Sequence, residues 1–228
     1  MRWIVVAAAI LLGSGCARQP APPTPDARSR AEEAGSSGLP ALIPADVPAP
    51  SPAWSDPVDF LALREAYGAR ADFGARCEDR EVSGKASAAL VANRFGEVVD
   101  LTGSALARCP VWIQLHLWRT AALRALGRQT ESDLHKRWVL GLLDTIFASG
   151  DGKTSQTPYV TISTTEEYAV LSRLGLTPQQ QFLTGDMLDV IVATDESGDR
   201  VSVYFNPKWH FIRLLHEVKG VGDPREEP

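Results

Sequence analysis

The sequence predicts an α+β fold: antiparallel helices first, then a small, mainly antiparallel β-sheet with one short helix. Three observations predict it. Apolar residues recur at helical spacing up to about residue 149. From Gly152 onward the pattern changes to short runs rich in Val, Ile, Tyr and Phe. Gly and Asp separate those runs, as turn residues do.

The elements follow in chain order. Residues 1–15 read as a signal peptide: Met1-Arg2 is basic, Trp3 to Leu12 is an apolar run too short to span a bilayer, and Gly13-Ser14-Gly15 are small. Residues 16–55 read as a proline-rich tether. Nine of the 16 prolines lie between Arg18 and Ser55, with few large apolar residues to offset the entropy of ordering. A single domain is expected over 56–217, helical to 149 and β-rich from 150, with a disordered tail over 218–228. Asp56-Pro57 reads as the start of the first helix, with Val58, Phe60, Leu61, Leu63 and Tyr67 as its apolar stripe. One or two helices follow between about Lys85 and Ala107, interrupted by Gly96 and Gly103. Pro110 opens a helix with Val111, Leu115, Trp118, Ala122 and Leu126 on one face, stopped by Gly127. Thr130 and Asp133 form the pattern of a capping box for the next, which carries Leu134, Trp138, Leu142 and Ile146. Tyr159 to Ser163 reads as a strand, Ser163 to Glu166 as the capping box of a short helix ended by Gly175, and Met187–Thr194 with Val201–Phe205 as a hairpin around Gly198.

The segment LLGSGC resembles a bacterial lipoprotein signal, in which small residues precede a cysteine that is diacylated and becomes the new N-terminus. That family usually has Leu three residues before the cysteine; Gly13 stands there in this chain. The resemblance implies lipid attachment at Cys16, a protein exported to the cell envelope, and, from Ala17, an outer-membrane lipoprotein facing the periplasm. The alternative is a plain signal peptide cut nearby with Cys16 unmodified. Two acyl chains hold a protein stably on a membrane where one does not.

Cys77 and Cys109 are then the remaining cysteines. In an exported chain they are expected to pair, closing a loop whose constraint is worth about 3–4 kcal/mol; two buried free thiols are the other reading. The net charge of −5 carries no basic domain that would indicate nucleic acid.

Ser149-Gly150-Asp151-Gly152-Lys153 invites comparison with a phosphate-binding loop. Such a loop needs a first glycine where Phe147 stands, a preceding strand and a following helix. The segment fits a structural turn instead, with Gly150 in the left-handed position after a helix and Asp151-Gly152 in a tight turn. No nucleotide or other cofactor is expected.

The stretch GLLDTIFASGDGKTSQTPYVTISTTEEYAVLSRLGL, with LDVIVA and VYFN further on, resembles domain of unknown function 4919, an uncharacterised bacterial family. The likeness is close over 141–206 and looser over 56–212. It implies no activity and no catalytic residues.

Other groupings read as structural. Glu166 and Glu167 are adjacent on a helix and point to different faces. His210 and His216 lack the spacing of a ligand pair, so no metal site is expected. Trp112, Trp118 and Trp138 lie on apolar stripes. Arg119, Arg124, Arg128, Lys136 and Arg137 form a basic cluster, a solvated face or a patch for an anionic partner. Ser149, Asp151 and His135 lack the context of a nucleophile. The functional expectation is a non-enzymatic binding or structural module, joined to the membrane by its lipid and possessing an envelope protein partner. The alternative is an envelope hydrolase with an unrecognised site.

Overall fold

A computed structural model describes residues 40–220. The leader, Cys16, the tether up to residue 39 and the tail from 221 lie outside the described residues. The described chain is already packed on the domain from Pro40, ahead of the expected boundary at 56. Residues 40–58 form a strap. Ile43 exchanges backbone hydrogen bonds with Ala69 (2.8 Å) and Ala71 (2.9 Å). The buried Arg70 guanidinium donates to the carbonyls of Val47 (3.0 Å) and Ala45 (3.3 Å), and Tyr67 Oη donates to Pro50 O (2.9 Å). The prolines of this segment misled the compositional reading, because the carbonyls between them still accept hydrogen bonds from side chains of the domain.

Helix α1 spans Phe60–Gly68. Its cap is Asp59, which accepts from Ala62 N at 3.0 Å, so Asp56-Pro57 does not open it. Next come α2 (Phe73–Cys77), α3 (Arg80–Val91), α4 (Phe95–Arg108), α5 (Ile113–Ala125) and α6 (Gln129–Phe147). Asp79 caps α3 by accepting from Glu81 N and Val82 N. Gly96 and Gly103 lie inside α4 and do not interrupt it. At Gly103 an added Cβ would meet Arg119 Nη1 at 2.9 Å, so the missing side chain lets the guanidinium cross the helix. Helix α5 starts at Ile113, three residues after Pro110, and its inward position near the end is Leu123, leaving Leu126 exposed. Helix α6 is preceded by Arg128 with no side-chain cap; the expected Thr130–Asp133 box does not form, and Asp133 accepts from Gln129 Nε2 instead.

The β-rich part contains β1 (Tyr159–Val160), α7 (Thr164–Arg173), β2 (Thr177–Leu183), β3 (Asp189–Thr194) and β4 (Arg200–Asn206), then α8 (Lys208–Gly220). The sheet order is β1-β4-β3-β2. Within this sheet β1 and β4 pair in parallel, and β4–β3 and β3–β2 are antiparallel. The β3–β4 hairpin turns through Asp195, whose carboxylate accepts from Ser197 N and Asp199 N at 2.9 Å each, with Gly198 at φ 85°. The strand expected to Ser163 is only two residues long, because Ser163 already serves as N-cap of α7. Helix α8 extends through positions expected to be tail. Its Arg213 donates to Gly68 O (2.6 Å) and Ile162 O (2.7 Å) and stacks 4.1 Å over Phe73.

The fold is therefore α+β, with helices leading and a four-stranded mixed sheet following. The core lies where α1, α5 and α6 meet α7 and the inner face of β3 and β4. Trp138, Leu142 and Ile146 of α6 are buried in one cluster with Tyr67, Leu115, Leu171, Ile191 and Phe205. A smaller cluster of Ala89, Val98, Val99, Ala122 and Leu123 joins α3, α4 and α5. Cys77 and Cys109 are joined in a buried disulfide that ties the end of α2 to the end of α4. Among the described residues no helix is long and apolar enough to cross a membrane.

Candidate functional site

Burial and charge first meet in two internal networks. Arg64, on the inward face of α1, forms a two-pronged pair with Glu166 of α7: Nε to Oε1 at 2.9 Å and Nη2 to Oε2 at 2.8 Å. The same guanidinium donates to Thr145 Oγ1 and Val160 O, and Glu166 also accepts from Ile162 N. This joins α1, α6, β1 and α7 at one point. Removing one partner of such a pair typically costs about 3–5 kcal/mol, because the other charge is left buried alone.

Glu167, the neighbour on the next face, is buried beside Thr161, Gln181 and Asp189. Burial, reinforced by the Asp189 charge, pushes its carboxyl up to about 9, so it is protonated at neutral pH. Both glutamates are thus interior groups. The expected capping box is altered: Glu166 reaches Ile162 N rather than the cap residue, and Ser163 Oγ pairs with Thr165 Oγ1 instead of a backbone N–H.

His116 of α5 and His135 of α6 form the second network under Trp54 of the strap. Arg119 Nε donates to His135 Nε2 at 2.8 Å. An arginine can only donate, so His135 carries its proton on Nδ1 and gives it to His116 Nδ1, 2.9 Å away. His116 Nε2–H then donates to Pro110 O at 2.8 Å. Every ring nitrogen is satisfied in the neutral form. Burial lowers His116 to about 3 and His135 to about 4.

The Ser149–Lys153 segment is a structural turn. Asp151 Oδ1 accepts from Lys153 N (3.0 Å) and Thr157 Oγ1 (2.6 Å), contacts that hold its carboxyl below the ordinary range. Gly152 donates to Thr157 O (2.8 Å) and accepts from Tyr204 N (2.8 Å), which fastens the turn to β4. Ser149 Oγ accepts from Val160 N. The left-handed residue is Gly152, at φ 66°, and not Gly150 as expected. Gly150 is required for a different reason: a Cβ there would run into the carbonyl oxygens of Pro158 and Thr157.

The basic cluster disperses. Arg119 points inward, Arg128 pairs with Glu131, and Arg137 donates to Trp54 O. Lys136 instead reaches a groove of about 280 Å³ between α5, α6 and α7, floored by Leu117, Val139, Leu140, Leu143 and Ala169 and also lined by Arg173. Trp138 is in the core and Trp118 packs against both clusters. Trp112 is buried but also lines a second cleft of about 230 Å³, with Glu78, Arg80, Ser83, Thr164, Thr165 and His210. His216 is elsewhere on α8, bonded to Pro40 O. Among the described residues no group of three or more His, Cys, Asp or Glu is placed to hold a metal ion.

The buried arginines 64 and 213 and the histidine pair were not read from the sequence as site residues. Arg64 had a signal: it is four residues after Phe60 on the same inward face. Arg213 and the pairing of His116 with His135 had none, because each depends on tertiary contacts.

Comparison with curated proteins and with solved structures yields no match. The match to a family is clear and spans residues 65–210, from α1 to the start of α8. Over more than half its length the chain fits that family's model, and it belongs to the family described as Domain of unknown function (DUF4919).

Proposed function

We propose that this protein is an exported lipoprotein, anchored through Cys16, that binds a partner protein of the cell envelope and catalyses no reaction. The leader and LLGSGC motif support the anchor. Residues 18–39 keep the proline-rich composition of a spacer and could reach about 70 Å if extended.

The observation that carries the binding role is the groove between α5, α6 and α7. Its floor is aliphatic, and Lys136 and Arg173 line it without any ion pair or hydrogen bond among the described residues. Three helices present regular faces to it: Leu117 and Thr120, then Lys136, Val139, Leu140 and Leu143, then Ala169, Ser172 and Arg173. An aliphatic residue flanked by carboxylates on a partner suits both the floor and the charges. Chemistry at a hidden active site is less well supported. The strongly shifted groups, His116, His135 and Glu167, line neither this groove nor the cleft beside Trp112. Each is consumed by interior bonds.

A photoreactive amino acid at Leu140, introduced in living cells, tests the reading. We expect a discrete crosslink to one envelope protein, weakened about tenfold when Lys136→Glu and Arg173→Glu are combined. A crosslink that ignores those substitutions, or none at all, would contradict it.

A further inference from the structure

The cleft lined by Trp112 carries a separate inference. The indole Nε1 of Trp112 is the one buried side-chain polar atom among the described residues with no hydrogen-bond partner. Trp112 is 5% exposed, and an indole nitrogen can only donate. An unmatched buried donor calls for an acceptor that the protein itself does not supply.

The surrounding groups are donors too. Thr164 and Thr165 are the first residues of the ten-residue helix α7. The N-cap Ser163 makes no side-chain bond to the helix backbone, since its hydroxyl is held by Thr165 Oγ1. The backbone N–H groups of Thr164 and Thr165 form no hydrogen bond among the described residues. The N-terminus of α3 faces the same cleft through Arg80 and Ser83, but Asp79 already caps it. The acids of α7's first turn do little to offset its positive end. Glu167 is uncharged, and Glu166 is matched by Arg64. Arg80 lines the cleft, and its side chain forms no hydrogen bond or ion pair among the described residues, so its positive charge is unmatched there.

Two carboxylates act against an anion. Glu78 lines this cleft, and Glu217 lines the adjoining cavity with Arg213, whose Nη1 and Nη2 donate to Gly68 O and Ile162 O. Glu78 therefore limits the cleft to one negative charge and disfavours a dianion.

We infer that the cleft between the N-termini of α3 and α7 binds the carboxylate of a small ligand. The carboxylate accepts from Thr164 N–H, Thr165 N–H and the Arg80 guanidinium, while Trp112 Nε1–H donates to its second oxygen. The volume of about 230 Å³ suits a molecule of amino-acid size or the end of a peptide. The site is distinct from the groove proposed for a protein partner, so either can fail without the other.

The test is a titration of the full ¹⁵N-labelled chain with sodium acetate, read at the Trp112 indole resonance, which is assigned by its loss in Trp112→Phe. Sodium chloride at equal ionic strength serves as reference. We expect a saturable downfield shift with millimolar affinity, together with shifts at the Thr164 and Thr165 amides. Arg80→Ala, which removes no bond of the fold, should weaken acetate binding about tenfold while leaving the rest of the spectrum unchanged. Inorganic phosphate should bind more weakly than acetate. Absence of a saturable response by about 0.1 M acetate, affinity unchanged in Arg80→Ala, or tighter binding of phosphate would each overturn the assignment.

Discussion

His116 and His135 show what a single residue contributes once its partners are fixed. The chain of donors from Arg119 through both rings to Pro110 O accepts no extra proton without losing a bond. The folded values, about 3 and about 4, lie below the unfolded value near 6.5. Between those limits the unfolded chain binds more protons than the folded one, so stability falls as pH falls from about 6.5 toward 4. Proton NMR should find both rings untitrated from pH 8 to about 5.5, and a ring that titrates near 6.5 would refute the network. Glu167 acts in the opposite direction. Its folded carboxyl keeps a proton that the unfolded chain releases above about pH 4.5, so stability falls as pH rises from there toward 9. Glu167→Gln keeps the shape and removes the titration. It should stabilise the protein by about 1–3 kcal/mol at pH 8 and flatten that slope in denaturant melts. A variant less stable than wild type at pH 8 would show that the carboxyl is ionised and paired.

At the scale of elements, the turn between α6 and β1 separates two roles for glycine. Gly152 occupies left-handed backbone, and a Cβ there would also press on the Tyr159 ring. Gly150 sits against the carbonyl oxygens of Pro158 and Thr157, and Thr157 O cannot move without breaking the bonds from Asp151 N and Gly152 N. Gly152→Ala should therefore cost about 1–2 kcal/mol and Gly150→Ala more, with Lys153→Ala near zero because its exposed side chain bonds to nothing among the described residues. Chemical denaturation of the three variants checks the order. Equal tolerance of both glycine substitutions would show that the turn is loose. Much of this level was legible in the sequence. Helical spacing located α5 and α6, and the Val201–Phe205 run fell within β4. The caps were less legible. Thr130 and Ser163 have suitable side chains, yet Asp133 and Ser163 bond to neighbouring side chains instead of the helix end. Side-chain competition of that kind leaves no trace in residue spacing.

For the whole molecule, apolar patterning indicated the order of helices and sheet, while composition misplaced the edge of the domain. Proline content made residues 40–55 look like tether. Trp54 argued otherwise: it packs on His116, His135 and Trp138 at 4.9–5.5 Å, and its carbonyl accepts from Trp138 Nε1. A lone large aromatic in a proline-rich stretch was the available signal. The candidate sites were less visible still. The groove, the Trp112 cleft and the Arg64–Glu166 pair each draw on three or more elements distant in the chain, and spacing records only neighbours. The proposed role requires a folded head held at a membrane by Cys16. The most direct measurement is the intact mass of the protein purified from the membrane fraction of its host, with sequencing of the N-terminal peptide. The account predicts a mature chain that begins at Cys16, carries diacylglycerol mass, and becomes soluble in Cys16→Ser. A mature chain recovered from the soluble fraction with an unmodified Cys16, or one that keeps residues 1–15, would contradict it.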